Sequence, residues 1–325
     1  MNDTVEPLAA ASVADPSAVA APLFAWWHAN ARDLPWRFGR TTPWGVLVSE
    51  VMSQQTQMSR VVPYWRAWMD VWPDAAALAA ASPAEVITAW GRLGYPRRAL
   101  RLQECARVVA GECADELPRS YDGLTALPGI GDYTASAVMS FAFGMRIAVI
   151  DTNIRRVLSR VFTGVESLGG SAKPAERDLA NRVLPADAGE SVTWNQAVME
   201  LGALVCTAKS PRCDVCPVSG LCMFLAAGRP GLGERRTRPR QRFQGTDRQV
   251  RGIVLDALRR LPAGGGDGGG DVGAAGTMPG VPSLPRAQAR QLWADRAQLD
   301  ACIASLDDDG LIEILPDGSL RLPRA

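Results

Sequence analysis

The chain has 325 residues, with 35 lysines and arginines against 34 aspartates and glutamates, a formal net charge of +1 and a single histidine. A near-neutral balance excludes a uniformly basic coat, and His28 alone argues against a Ser-His-Asp triad or a multi-histidine metal site. No run approaches the roughly 20 apolar residues that a membrane span needs, so the expectation is a soluble, cytoplasmic protein of about two or three domains.

Residues 1–20 are Ala-rich, broken by Pro7 and Pro16, acidic at Asp3, Glu6 and Asp15, and devoid of the basic head of a secretory signal; they read as a disordered tail. A first helix is predicted over Pro22–Asn30, followed by the aromatic and cationic turn Arg32-Asp33-Leu34-Pro35-Trp36-Arg37. Pro43 suits the start of a second helix through Val46, Leu47, Val51 and Met52. Glu50 shares its face with Val46 and Leu47. It is either a carboxyl whose pKa is lifted by desolvation towards proton transfer, or a residue at the stripe's edge that reaches water.

The polar cluster Ser53-Gln54-Gln55-Thr56-Gln57 ends that helix and carries side chains able to hydrogen-bond base edges. Helices over Val61–Val71 and Pro83–Trp90 lead to Leu93-Gly94-Tyr95-Pro96-Arg97-Arg98, a turn with an aromatic tip. Leu127-Pro128-Gly129-Ile130-Gly131 is a second tight turn, opening a buried helix over Tyr133–Phe143. Its backbone N–H groups suit a phosphate, or the turn is simply a corner between helices. Asp151, just past an apolar run, is either the N-cap of a helix over Ile154–Val161 or a buried, pKa-tuned carboxylate. The pairs Arg97-Arg98 and Arg155-Arg156 read as solvated faces, and the run from Glu234 to Arg242 as a phosphate-binding cluster.

Cys206, Cys213, Cys216 and Cys222 are spaced C-x6-C-x2-C-x5-C, which in a reducing compartment points to thiolate ligation of a metal centre rather than to disulfides. Zinc and a four-iron cluster both accept four thiolates. Cys105, Cys113 and Cys302 read as buried structural thiols. Past a basic linker at residues 231–245, Asp247–Leu261 has the pattern of an amphipathic helix, and Pro262–Pro282 is a Gly-rich linker. Helices over Arg286–Trp293 and Arg296–Leu306, then a hairpin around Pro316-Asp317-Gly318, complete a small winged-helix-like domain over residues 246–325. It either touches nucleic acid or is purely structural.

Together these motifs resemble the MutY-type adenine DNA glycosylases of the helix-hairpin-helix superfamily. The resemblance is carried by Leu34 to Arg37, Ser49 to Thr56, Leu93-Gly94-Tyr95, Leu127 to Gly131, Ile150-Asp151-Thr152-Asn153, Asn195 to Gly202 and the four cysteines. It covers residues 22–230 and implies an all-α fold: a two-lobed helix-hairpin-helix glycosylase domain over residues 21–230 with a 4Fe-4S cluster loop, here joined to the small C-terminal α+β domain. The implied activity is removal of adenine opposite 8-oxoguanine or guanine in double-stranded DNA, by a monomer. Glu50 is implied as acid and base, Asp151 as stabiliser of the sugar cation, and Tyr133 and Asn153 as its neighbours. Trp36, Arg37 and Gln196 are implied around the adenine, and Gln55, Thr56 and Tyr95 at the opposite base, with Gly129 and Gly131 in the phosphate-binding hairpin.

Tyr133 stands where endonuclease III-type relatives carry a Schiff-base lysine, which implies a monofunctional enzyme. A thymine glycosylase acting on G·T mispairs, or an endonuclease III-like pyrimidine glycosylase, is the runner-up; a non-catalytic iron–sulfur DNA-binding protein would need neither Glu50 nor Asp151. Family members commonly carry a Nudix-like domain at the C-terminus, for which the remainder of this chain is too short. Opposite-base reading is therefore expected to lean on Gln55, Thr56 and Tyr95 of the glycosylase domain, with weaker discrimination between 8-oxoguanine and guanine than a full-length family member achieves.

Overall fold

The computed structural model describes residues 15–167, 170–234, 243–262 and 282–324. The expected tail before residue 15, most of the basic linker and nearly all of the Gly-rich linker lie outside them. In chain order the α-helices are α1 (Pro16–Asn30), α2 (Pro43–Ser53), α3 (Met58–Val71), α4 (Ala75–Ala80), α5 (Pro83–Trp90), α6 (Arg97–Glu112), α7 (Tyr121–Thr125), α8 (Asp132–Phe141), α9 (Thr152–Leu158), α10 (Pro174–Val183), α11 (Ala188–Leu204), α12 (Met223–Ala226), α13 (Asp247–Arg259), α14 (Arg286–Ala289) and α15 (Arg296–Asp308). Strands β1 (Glu313–Ile314) and β2 (Leu320–Arg321) follow. Among the described residues the fold is thus almost wholly helical, with its strand content confined to the C-terminus.

The chain divides into two compact units. One comprises the described residues of Met1–Val46, Arg119–Ala126 and Ile130–Thr237. Its core sets Val19, Leu23 and Trp27 of α1 against Trp194, Val198 and Leu201 of α11 and Ile154, Val157 and Leu158 of α9. Phe162 and Phe24 lie 6.2 and 6.5 Å from the Trp194 ring, centroid to centroid. α1 begins at Pro16, six positions before the expected start, so Pro16–Ala20 belong to a helix and not to the tail. The Asp15 carboxylate accepts from the Ser17 N–H and Pro16 occupies the first helical position, a capping signal the Ala-rich composition hides.

The other unit comprises Leu47–Pro118, Leu127–Gly129 and the described residues of Arg238–Ala325. Trp68 packs edge-on against Trp72 and Trp90, at centroid distances of 4.6 and 5.6 Å. The C-terminal segment forms the three helices and hairpin expected of it. β1 pairs antiparallel with β2, Glu313 opposite Arg321, and Leu284 bridges to Leu320. Val250, Val254 and Leu258 of α13, Leu299, Ile303 and Leu306 of α15, and Leu311 and Leu320 form its core, which also takes in Ile87 of α5. No helix among the described residues is long and apolar enough to cross a membrane.

Candidate active site

Asp151 caps α9, its Oδ1 accepting from the Ile154 N–H at 2.6 Å and its Oδ2 from the Asn153 side-chain amide at 2.9 Å. Burial pushes its carboxyl above the ordinary aspartate range, while these hydrogen bonds and the nearby Arg156 charge pull the other way. Cap and tuned carboxylate, alternatives in the sequence, are here the same group.

Asn153 is fixed in turn, since Arg156 Nη2 donates to its Oδ1 at 2.8 Å and to the Gly202 carbonyl at 2.7 Å, and Arg156 Nε donates to the Cys206 carbonyl at 2.7 Å. Gly202 is what lets α11 approach this closely: a Cβ there would stand 2.7 Å from Asn153 Cβ and 3.1 Å from its carbonyl oxygen. Arg155 and Arg156 are therefore buried clamps and not the solvated pair the sequence suggested. Arg155 bonds the Gly170 carbonyl and Glu176, both at 2.6 Å. The arginines lie on the inner face of a helix too short for its periodicity to be read.

Cys206, Cys213, Cys216 and Cys222 line one apolar cavity with Arg160, Val161, Leu201, Val205 and Phe224. All four are free thiols. Burial first, and then the neighbouring thiols, push Cys216 up to about 11, and burial raises Cys222 as well. Such a set ionises together only around a cationic centre, so its chemistry fits a metal cofactor. Four thiols lining one shared cavity suit the corners of an iron–sulfur cluster. Arg160, 1% exposed, braces this loop by donating to the Thr207 and Ala208 carbonyls and to Cys206 Sγ at 3.4 Å, with its charge met by Glu166 at 2.6 Å.

Glu200 is a residue whose importance the sequence did not reveal. It is fully buried on α11 and accepts from Arg32 and Arg37 through both oxygens, at 2.7–3.1 Å. Burial alone would push its carboxyl up; the Arg32 and Arg37 hydrogen bonds outweigh that and hold it at about 2. Arg37, expected beside the adenine, is 9% exposed, stacks 4.8 Å from the Trp27 ring and has both terminal nitrogens donating to Glu200. Its guanidinium thus orders the turn that presents half-buried Trp36. A carboxylate amid Val, Met, Leu and Gly was the available signal for Glu200. Gln196 lies on the same helix, half-buried, and Tyr133 is the second residue of α8, packed against the core of this unit.

In the other unit Glu50 lies on α2, half-buried, beside buried Val51 and fully buried Met52. The polar cluster after it is held to the Tyr95 turn by Arg98. Its Nη1 donates to the Val51 and Gln54 carbonyls at 2.6 and 2.7 Å, and its Nη2 to the Gly94 carbonyl at 3.1 Å and to Thr56 Oγ1 at 3.3 Å. Arg98, too, was expected to be solvated and is not; burial lowers its pKa. Gln55 and Tyr95 both adopt left-handed backbone, at φ 55° and 49°, a strain non-glycine residues carry only where neighbours impose it. Thr56 is thereby brought to the base of the Tyr95 turn, while Gln55 stays exposed. Gly129 has φ 78° and faces Arg101, whereas Gly131, at φ −104°, caps α8 in a conformation open to any residue.

Residues 48–183 match the family described as HhH-GPD superfamily base excision DNA repair protein, and residues 206–222, bounded by the first and last of the four cysteines, match the iron–sulfur binding domain of endonuclease III. The fold is similar to a thermostable thymine-DNA glycosylase, at TM-score 0.59 and 26% identity, over 66% of this chain and 97% of that one. It is also similar to endonuclease III in a non-covalent DNA complex, at TM-score 0.55 and 22% identity, over 65% and 95%. The chain is 42% identical over 220 residues to the human adenine DNA glycosylase, covering 65% of this chain and 40% of that protein. It is 47% identical over 302 residues to the adenine DNA glycosylase of Mycolicibacterium smegmatis, covering 92% and 94%. An identity of that depth along nearly the whole of both chains, C-terminal domain included, places this chain in the adenine DNA glycosylase family of the helix-hairpin-helix superfamily.

Proposed function

We propose that the protein excises adenine from A·8-oxoguanine and A·G mispairs as a monofunctional, monomeric N-glycosyl hydrolase. The observation that carries this reading is Asp151: a carboxylate desolvated enough to be raised, yet hydrogen-bonded in its ionised form at the start of α9. The adenine is flipped from the duplex, since its N-glycosidic bond is out of reach inside the stack. Glu50 protonates N7, the C1′–N9 bond breaks with its electron pair passing into the base, and Asp151 stabilises the sugar cation left behind. A water deprotonated by Glu50 adds to C1′, giving free adenine and an abasic site.

Asn153 and Tyr133 orient Asp151, and Trp36 and Gln196 adjoin the base, with Arg37 acting on it only through the Arg32–Glu200 turn. Gln55, Thr56 and Tyr95 meet the opposite base, and the hairpin at Gly129 and Gly131 takes a backbone phosphate. Cys206, Cys213, Cys216 and Cys222 hold a 4Fe-4S cluster, which when bound fixes the loop carrying Lys209, Arg212 and Arg229 as phosphate contacts.

Single-turnover release from duplexes with A·8-oxoguanine, A·G, T·G and thymine glycol·A tests the reading. Adenine released from the first two, with strand breaks only after alkali, is the expected result. Release confined to T·G would replace it with the thymine reading. Tyr133 lacks the amine an imine requires, so borohydride should trap no covalent complex, and efficient trapping would refute the monofunctional assignment.

A further inference from the structure

The Tyr95 ring, 48% exposed, has two guanidinium groups against it. Arg98 of its own turn lies 5.6 Å from the centroid, and Arg248 of α13 lies 5.5 Å from it. Arg248 also lies 6.0 Å from the ring of Phe243, itself 57% exposed. The C-terminal domain and the linker residue just before it thus add a cation and a second aromatic ring to the tip of a turn more than a hundred residues away in sequence.

This arrangement is held from both ends. Thr246 Oγ1 donates to the Phe243 carbonyl at 2.8 Å, and Gln298 Nε2 donates to the Gly245 carbonyl at 3.0 Å and to Asp247 Oδ1 at 2.8 Å. The domain is fastened to the rest of its unit by Arg259 on the Ile87 carbonyl at 3.1 Å, Arg92 on Asp256 at 2.8 Å and Arg97 on Asp309 at 3.2 Å. Arg251, Arg260, Arg286 and Arg321 are each paired with a carboxylate. Among the described residues Arg248 has no such partner; it is exposed, with its guanidinium over the two aromatic rings.

Exposed rings interleaved with planar cations suit a ligand that has π-faces and negative charge, as an unstacked nucleotide has. We propose that Arg248 and Phe243 complete, with Tyr95, a stacking face for the base opposite the adenine, so that the C-terminal domain takes part in holding that base. This rests on the reading of the chain as a mispair-directed adenine glycosylase. It assigns the domain the DNA-contacting role that the sequence left open beside a purely structural one.

The test uses the full chain and duplexes bearing non-cleavable 2′-fluoroadenosine opposite 8-oxoguanine, guanine or an abasic analogue. Arg248→Ala and Phe243→Ala should each weaken binding about tenfold where a base stands opposite, and less than about twofold opposite the abasic analogue. Arg248→Lys, which keeps the charge without the plane, should lose as much as Arg248→Ala. In a Tyr95→Ala background the Arg248→Ala loss should largely vanish. An equal loss with and without the opposite base, accompanied by a salt-dependence slope lower by about one, would mean a phosphate contact and overturn the proposal. Wild-type binding by the Arg248 variants would overturn it as well. If the unaltered protein releases adenine from neither mispair, the functional reading itself fails; normal release with unaffected variants sinks only this inference.

Discussion

Asp151 is held in a conflict: the fold desolvates its charge while α9 and Asn153 bond it. A carboxyl whose folded pKa is raised favours the fold when protonated, and that contribution is lost as pH rises through the folded value. Ionised Asp151 therefore costs stability at neutral pH. Asp151→Asn should remove that cost and keep a capping oxygen, so its melting midpoint should equal or exceed the parent's while base release falls at least about 10²-fold and DNA binding persists. Because the proposed reaction uses the ionised form, the acid limb of the pH–rate profile should lie above the ordinary aspartate range; a limb below it would contradict the assignment. Asp151 was legible because a polar residue at a break in an apolar run has few explanations. Arg98, Arg156 and Glu200 were not, because their partners come from carbonyls and turns remote in sequence.

At the level of elements, the close approach of α9 and α11 depends on one missing side chain. Gly202→Ala forces a Cβ to within 2.7 Å of Asn153 Cβ, which should destabilise the protein by about 1–3 kcal/mol and lower base release, measured by thermal melting and single-turnover kinetics. The turn before α2 depends on Glu200, whose depressed pKa gives stability that is present above pH 4.5 and lost as pH falls towards about 2. Arg37→Ala leaves that buried carboxylate with one partner fewer and should cost about 3–5 kcal/mol. Glu200→Gln should blunt the acid transition in that same window, and an unchanged transition would show that another group governs it. Helix interiors were legible from apolar periodicity. The start of α1 was not, because alanine marks a helix and a loose tail equally, and Asp15 became informative only once its carboxylate was found on the Ser17 N–H.

For the molecule as a whole, the cluster loop should behave as part of the fold. Cys213→Ser should yield protein with less iron and a melting midpoint lower by more than about 5 °C, with base release lost alongside, whereas Asp151→Asn should retain its full iron content. The largely helical architecture was readable from motif order and patterning, and so were the three helices and hairpin of the C-terminal domain. How that domain is seated was not, since it depends on single residues such as Arg259 reaching the Ile87 carbonyl and Ile87 lying in the domain's own core. That shared core makes the last eighty residues a poor target for truncation. A chain ended before Phe243 would bare Ile87, Ala84 and Leu100 to water, and the sticky surface left behind would aggregate or bind DNA nonspecifically, imitating a loss of base discrimination. For the same reason, an engineered swap of this module into a relative would have to carry α5 along with it to keep Ile87 covered.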